Sequence, residues 1–267
     1  MRFSVIFLLA SAKSGIAPTE LVTGGIAWTL GTLFAYLING AMDVVEDRLN
    51  GSGRPIGRGA LEPGTALRAA WLCAAGAVLV SLGSLPIVIL VLAYLFCGYA
   101  YSAAPFHMKR RSHGTIVVVL MLGGLTYAAG WIGSGSHENG LMAAVFATAM
   151  TLWMGLVGAV VKDLSDVRGD AAAGRRTSVV AWGERRARMV CVATPLLVGG
   201  GFLLAARLLA PQLTIPAVLL LAGAVAVATF SATTRSDEHR GRSRLPYQAF
   251  MVTQYAAHLA LLAIVLL

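Results

Sequence analysis

Charge is scarce in this chain. Of its 267 residues, 12% are Asp, Glu, Lys or Arg, about half the share of a soluble domain, while 57% are hydrophobic. Mean hydropathy is +0.75. Such a composition excludes an intrinsically disordered chain and argues against a soluble globular enzyme. Cysteine is nearly missing as well. Cys73, Cys97 and Cys191 are odd in number and lie inside apolar runs, which excludes a disulfide framework and any cysteine-based metal spacing, and leaves buried thiols. Histidine is sparse and scattered: His107, His113, His137, His239 and His258 form no ligand cluster and read as surface or interfacial side chains. Nucleic-acid motifs are absent, and the arginine clusters are not interleaved with aromatics, so the net charge of +9 needs another cause.

What the chain has in quantity is long apolar runs. A helix crossing ~30 Å of hydrocarbon needs ~20 mostly apolar residues. Eight runs approach that length: Leu21–Ala41, Ala66–Leu82, Leu85–Tyr101, Thr115–Gly133, Leu141–Val161, Ala187–Leu208, Gln212–Ser231 and Tyr247–Leu267. A ninth candidate, Phe3–Ser11, is short and extends at most to Ile16; Arg2 and Ala10-Ser11-Ala12 also give it a resemblance to a signal peptide. The expectation is an all-α, polytopic membrane protein forming a single domain over residues 1–267, with about nine transmembrane helices. The basic residues alternate in step. Eighteen of the 21 fall in the loops around Arg48–Arg68, Lys109–Arg111, Lys162–Arg188 and Arg235–Arg244, all on one face, while Lys13 and Arg207 lie opposite. This is the positive-inside pattern, which places those loops in the cytoplasm and the chain in the cell membrane.

Six of the twelve acidic residues gather in two short stretches, Asp43, Glu46 and Asp47, then Asp163, Asp166 and Asp170. On a continuous helix, Asn39, Asp43 and Asp47 share a face, as do Asp163, Asp166 and Asp170, and unpartnered like charges there repel. Each stretch ends an apolar span on the basic face. One explanation is a solvated helix end paired to loop arginines. The other is a site for divalent cations: hard oxygen ligands with no softer donors nearby suit Mg²⁺, which keeps waters and bridges to phosphate oxygens. After the first cluster comes Gly51-Ser-Gly-Arg54-Pro-Ile-Gly-Arg58-Gly59, a glycine-rich loop with two arginines, the residue types that admit and bind a phosphate. Lys109-Arg110-Arg111 reads as a topology signal or as phosphate donors, and Lys162 as an ion-pair partner for Asp163.

These residues resemble a known family. Asn39-x-x-x-Asp43-x-x-x-Asp47 followed by Arg54-Pro-Ile is similar to the first motif of the UbiA superfamily of intramembrane prenyltransferases, written NDxxDxxxD with a following RPI. Lys162-Asp163-x-x-Asp166-x-x-x-Asp170 followed by Gly174-Arg175-Arg176-Thr177 is similar to the second, DxxDxxxD. Tyr101-Ser-Ala-Ala-Pro105-x-x-x-Lys109-Arg110 is similar to the Tyr…Lys-Arg element after the fourth helix. The resemblance implies nine helices around a central cavity and a Mg²⁺-dependent transfer (Mn²⁺ as the alternative) from a polyprenyl diphosphate to an aromatic or other lipophilic acceptor. It implies that Asp43, Asp47, Asp163, Asp166 and Asp170 hold the metal, with Asp43, Asp47, Asp163 and Asp170 catalytic. It further implies that Asn39, Arg54, Tyr101, Lys109, Arg110 and Lys162 contact substrate. One position departs: Gly40 stands where the first motif has Asp, which removes an oxygen ligand and leaves Glu46, one residue out of phase, as the substitute.

An allylic diphosphate that ionises leaves a carbocation, which needs an apolar chamber poor in water and is stabilised by aromatic faces. Trp28, Tyr36, Tyr127, Trp131 and Trp153 are candidates for that lining, and for plain packing or interfacial anchoring. Three other readings stay open: a UbiA-type terpene cyclase, an ion-coupled transporter using the carboxylates, and a catalytically silent relative. Partners are expected to be the donor, the acceptor and membrane lipids, with no nucleic acid.

Overall fold

The computed structural model describes residues 1–12, 15, 17–136 and 138–266. The expectations attached to Lys13, Ile16, His137 and Leu267 lie outside the described residues. Helices account for nearly all regular structure, and one isolated β-bridge joins Arg111 to Arg176.

Eight helical runs are long and apolar enough to cross a membrane. They are α2 (Pro18–Met42), α4 (Pro63–Ser81), α5 (Leu85–Ser102), α6 (Ser112–Gly133), the run Gly140–Asp163, α11 (Glu184–Leu209), the run Pro211–Thr233 and α14 (Leu245–Leu266). Gly140–Asp163 comprises α7 (Gly140–Leu152), a π-helical segment Trp153–Gly158 and α8 (Ala159–Asp163); Pro211–Thr233 ends in α12 (Thr214–Thr233). Prolines open α2, α4 and α5, where a missing N–H is harmless. Between the spans lie four short helices: α3 (Val44–Leu49), α9 (Val167–Ala172), α10 (Ser178–Trp182) and α13 (Arg240–Ser243).

Lipid offers no hydrophobic drive for helices to associate, so close packing of small residues does that job. On α4, Ala66, Ala70, Ala74 and Ala77 form one buried stripe against α2, while Leu72 and Leu79 face outward. Between α11 and α12 the close approach is at Gly199, where an added β-carbon would lie 3.1 Å from Ala224 and from the Leu221 backbone.

The expected ninth helix takes an unexpected form. The candidate Phe3–Ser11 is α1 (Arg2–Ala10), whose nine residues span about 14 Å, less than half the hydrocarbon thickness. Rather than joining the outer ring, α1 is wedged inside it. Phe3, Val5, Ile6, Phe7, Leu9 and Ala10 are all buried, so the run that also resembled a leader is part of the core. Phe3 stacks on Trp28 at 5.8 Å, and its carbonyl lies so close to Gly130 of α6 that any β-carbon there would collide with it. The Asn139 amide donates to the Leu9 carbonyl at 3.0 Å and anchors the far end of α1.

Two side chains show a face that periodicity does not fix in a helix apolar all round: Tyr36 does not line the bundle interior, and the surface reading of His258 fails. Tyr36 is 66% exposed and points outward, not into the bundle. His258 is no interfacial residue: it is 1% exposed, donates from Nδ1 to the Gln254 carbonyl at 2.7 Å and accepts the Tyr127 hydroxyl at Nε2 at 2.9 Å. Trp28, Tyr127 and Trp153 are buried and packed, while Trp131 is partly buried against the core. Cys97 and Cys191 are buried thiols, and Cys73 is half-buried.

Candidate active site

Both acidic clusters sit at the basic end of the bundle, and neither is a continuous helix. The first breaks at Asp43, between α2 and α3, and the second breaks over Leu164–Asp166, between α8 and α9. Asp43 and Asp166 adopt nearly the same backbone angles, φ −109°, ψ 17° and φ −111°, ψ 10°. Each donates its N–H three residues back, to Gly40 at 3.4 Å and to Asp163 at 3.3 Å, in the tightened geometry of a closing helix turn. The expectation of one straight helical face per cluster is thus corrected, with a consequence. The break re-aims the residues after Asp43, so Glu46, out of phase on a straight helix, reaches the shared cation Arg175 at 2.8 Å.

Arg175 holds the two clusters together. Its guanidinium contacts Asp43 and Glu46 of the first motif and, at 3.3 Å, Asp170 of the second. Lys109 contacts the same Asp43 oxygen, Oδ1, at 2.6 Å, and Asn39 accepts from Lys109 at 3.2 Å and from Ser102 at 3.3 Å. Arg54 pairs with Asp47 at 3.3 Å. Asp166 is shared by Lys162 at 3.9 Å and Arg240 at 3.3 Å. The carboxylates are therefore paired to loop cations, yet this is no solvated helix end: Asp43, Asp47, Asp163 and Asp170 are 4–8% exposed.

Asp163 differs from the rest. Lys162 reaches Asp166 instead of the expected Asp163, whose Oδ2 accepts the backbone N–H of Ser178 at 2.9 Å and its hydroxyl at 2.7 Å. Tyr101, in the last turn of α5, lies within electrostatic reach of Lys162 and Asp163. Arg110 is exposed, and its carbonyl accepts the Arg176 N–H at 2.7 Å. Gly40 is buried, and the room a side chain would need is taken by Ile56 of the Arg54-Pro-Ile loop, whose Cδ1 would lie 2.9 Å from an added β-carbon.

Burial and charge set the ionisation of the loop groups. Burial opposes ionisation of Asp43, but Lys109 and Arg175 outweigh it and hold the carboxyl below its ordinary range. Burial pushes Lys109 down to about 8, against the pull of Asp43. Asp170 is pushed up by burial, which Lys162 and Arg175 only partly offset.

A cavity of about 270 Å³ opens beside these groups, walled by Asp47, Arg54, Lys162, Asp166, Arg240 and Arg244. Sequence reasoning placed Arg175 in the loop of the second motif without giving it a role, and missed Arg240, Ser178 and Asn50 as site residues. Only Arg175 had a local signal: it follows its cluster in a glycine-bearing loop, as Arg54 follows the first. The Asn50 side chain accepts the Gly169 N–H at 2.8 Å and its carbonyl accepts from Arg240, tying three loops together through contacts distant in sequence.

Mg²⁺ is the ion implied by the motifs. Among the described residues, no three acidic, His or Cys side chains are close enough to hold a metal by themselves. The donors at hand are carboxylate oxygens divided between two facing clusters. That suits an ion that takes one or two carboxylates and completes its shell with water and phosphate oxygens, so the residues fit Mg²⁺.

Comparison with known proteins agrees with this geometry. The profile described as UbiA prenyltransferase family matches residues 2–265. A digeranylgeranylglyceryl phosphate synthase of Halobacterium salinarum is 31% identical over 190 residues, 70% of this chain and 66% of that protein. One of Natronomonas pharaonis is 29% identical over 206 residues, 77% of this chain and 70% of that protein. The chain thus spans about two thirds of the length of these relatives. A UbiA homologue from Archaeoglobus fulgidus, solved bound to DMAPP and Mg²⁺, shares the fold with a TM-score of 0.67 at 17% identity, covering 100% of this chain and 95% of that one. A solved digeranylgeranylglyceryl phosphate synthase gives 0.63 at 15% identity, with 99% and 92% covered. With a profile spanning nearly its whole length and two aspartate motifs facing each other at one end of an all-helical membrane bundle, the chain belongs to the UbiA prenyltransferase family.

Proposed function

We propose that this protein transfers a prenyl group from a polyprenyl diphosphate to a lipophilic acceptor at the basic end of its bundle. One observation carries the reading: two buried carboxylate clusters of matched backbone geometry face each other, cross-linked by Arg175, beside a cavity lined by further cations. Asp43, Asp47, Asp166 and Asp170 would hold Mg²⁺, with Asp163 contributing through the oxygen that Ser178 leaves free. Mg²⁺ bound there would neutralise charge developing on the diphosphate leaving group. Lys109, Arg54 and Lys162 donate to phosphate oxygens, and Asn39 orients the Lys109 ammonium. Tyr101, within reach of Lys162 and Asp163, would contact the donor beside its diphosphate, and Arg110 supports the loop through its carbonyl. The apolar helices take the prenyl tail and exclude the water that would quench a carbocation. The relatives' product name, a glyceryl phosphate bearing prenyl groups, supports a lipid acceptor over a soluble one.

The transporter reading loses ground, because intramembrane carriers place carboxylates near the midplane and these lie at helix ends, already paired. The basic loops face the cytoplasm in this account. Cysteines placed at Ser52 and Ser136 in a cysteine-free background should label from opposite sides, and labelling of both from one side would overturn the orientation.

The function is tested by mass spectrometry of products from a panel of prenyl diphosphates, with and without acceptors, in Mg²⁺, Mn²⁺ and EDTA. Prenylated acceptor that forms with metal and vanishes in EDTA is expected. A terpene hydrocarbon or alcohol from donor alone would make the protein a cyclase, and no turnover of any donor would make it a silent relative.

A further inference from the structure

Two cations meet on one oxygen of the first motif. Lys109 reaches Asp43 Oδ1 at 2.6 Å, and the Arg175 guanidinium contacts the same atom. They arrive from separate stretches of chain, Lys109 from the link between α5 and α6 and Arg175 from the loop between α9 and α10. Like charges that close repel, and burial removes the water that would weaken the repulsion. Both cations are buried, so something other than the ions has to hold the two stretches against each other. The start of α6 does so, with residues that carry no charge.

Lys109 lies in a short 3₁₀ turn, Met108–Arg110, folded against the first turn of α6. Gly114 makes the notch. A β-carbon there would collide with the Met108 carbonyl oxygen and lie 3.0 Å from its carbon, and backbone atoms cannot swing aside as a side chain can. Glycine disfavours a helix relative to alanine, so this contact, and not the helix, accounts for it. One residue on, the Thr115 hydroxyl donates to the Lys109 carbonyl at 3.4 Å. Ser112, also buried, serves the other stretch. Its N–H and its hydroxyl both donate to the Arg176 carbonyl, at 3.2 and 3.3 Å, and the Arg176 N–H donates to the Arg110 carbonyl at 2.7 Å. The residue after Lys109 is thus bonded to the residue after Arg175, beside the bridge of Arg111 with Arg176.

We propose that Gly114 and Ser112 are positioning residues for the donor diphosphate. Gly114 lets the Lys109 turn seat at the depth where its ammonium meets Asp43. Ser112 fixes the Arg175 loop beside it, so that the two cations reach the first motif as one unit. Neither residue acts on the diphosphate directly; each acts through the cation it places. The proposal rests on the donor-binding role assigned to Lys109 and Asp43 above.

The test is equilibrium binding by the full chain in phosphatidylcholine vesicles with Mg²⁺. The probes are geranylgeranyl thiolodiphosphate, which does not ionise, and geranylgeraniol, which has the tail without the diphosphate. Gly114→Ala should weaken binding of the thiolodiphosphate roughly 10- to 100-fold, as loss of a charge-assisted bond does, and change that of geranylgeraniol by less than about twofold. In a Lys109→Gln background the same substitution should cost less than about a further twofold, because its effect runs through Lys109. Ser112→Ala should weaken the thiolodiphosphate by about three- to tenfold, the worth of one neutral hydrogen bond. Ser112→Thr, which keeps the hydroxyl, should recover it. Ser112→Ala adds no atom that could collide, so it decides the matter if Gly114→Ala does not fold. Unchanged binding in either alanine variant would overturn the proposal. So would equal losses from Gly114→Ala with and without Lys109, or an equal loss for geranylgeraniol, either of which would mark a general packing defect. If the wild type itself fails to bind the thiolodiphosphate in Mg²⁺, the donor reading falls, a result distinct from the others.

Discussion

The two aspartate motifs are near copies of each other in backbone and differ in how their charges are held. Each bends at one Asp, 43 or 166, and each ends in an Asp paired at 3.3 Å with the arginine of the following loop, Asp47 with Arg54 and Asp170 with Arg175. Each bending Asp also faces two cations, Lys109 and Arg175 for Asp43, Lys162 and Arg240 for Asp166. Three residues before the bend the copies part. The second motif has Asp163, fastened to Ser178; the first has Gly40, covered by Ile56. The first motif recovers a carboxylate from Glu46, delivered by the bend. The lesson is that the number of acidic groups at the site is kept near constant while their source within the motif shifts, and that Arg175 is the group through which one motif senses the other.

The largest effect expected from breaking this symmetry is on turnover. Asp43→Ala and Asp166→Ala should each reduce prenyl transfer on the order of 10³-fold or more, because a metal ligand is worth several kcal/mol of charge stabilisation. Near-wild-type turnover in either would show that one motif suffices. Asp43→Ala should also lower stability, since it strands the buried Lys109 without its carboxylate.

Next comes the cross-link. Arg175→Gln leaves Asp170 and Glu46 without their ion-pair partner and Asp43 with Lys109 alone, and breaking a buried pair costs ~3–5 kcal/mol. Melting of the solubilised protein in EDTA should fall accordingly and be partly restored by Mg²⁺. The counterpart Arg54 is 39% exposed, so Arg54→Gln should change melting by no more than ~1 kcal/mol. Equal losses in the two would contradict the assigned asymmetry.

A smaller effect concerns pH. Lys109 loses its proton near pH 8 in the free enzyme, so the donor's kcat/KM should decline as pH rises through that value, this parameter reporting free-enzyme groups. Lys109→Arg keeps its charge and should abolish the decline. A decline unaltered by that change would place the titration elsewhere.

The smallest effect separates Gly40 from Asp163. Overpacking Ile56 costs typically ~1–3 kcal/mol, so Gly40→Asp alone should lower the melting temperature. Gly40→Asp with Ile56→Ala should relieve the strain and lower the Mg²⁺ concentration for half-maximal activity. An unchanged Mg²⁺ response in the double variant would show that Gly40 is not a vacated ligand position.

Much of this was legible in the residues. Span positions follow from run length, and the expected Leu85–Tyr101 became Leu85–Ser102. The clusters and the loop arginine Arg54 were visible because carboxylates are rare in so apolar a chain. The bends at Asp43 and Asp166 carry no Pro and no Gly at the bending residue itself, so Glu46 stayed out of phase on paper. The fate of α1 depends on what packs around nine apolar residues, which no periodicity records. Arg240 and Asn50 act across nearly two hundred residues of sequence, and only the fold brings them together.

The central claim is that both motifs together bind a prenyl diphosphate through divalent metal. Equilibrium binding of a non-ionising geranylgeranyl thiolodiphosphate to the wild type, Asp43→Ala and Asp166→Ala, in Mg²⁺ and in EDTA, tests it without any need for turnover. The account predicts tight binding by the wild type in Mg²⁺ alone, and its loss in EDTA and in each variant. Binding that survives chelation, or that survives the loss of either aspartate, would contradict it.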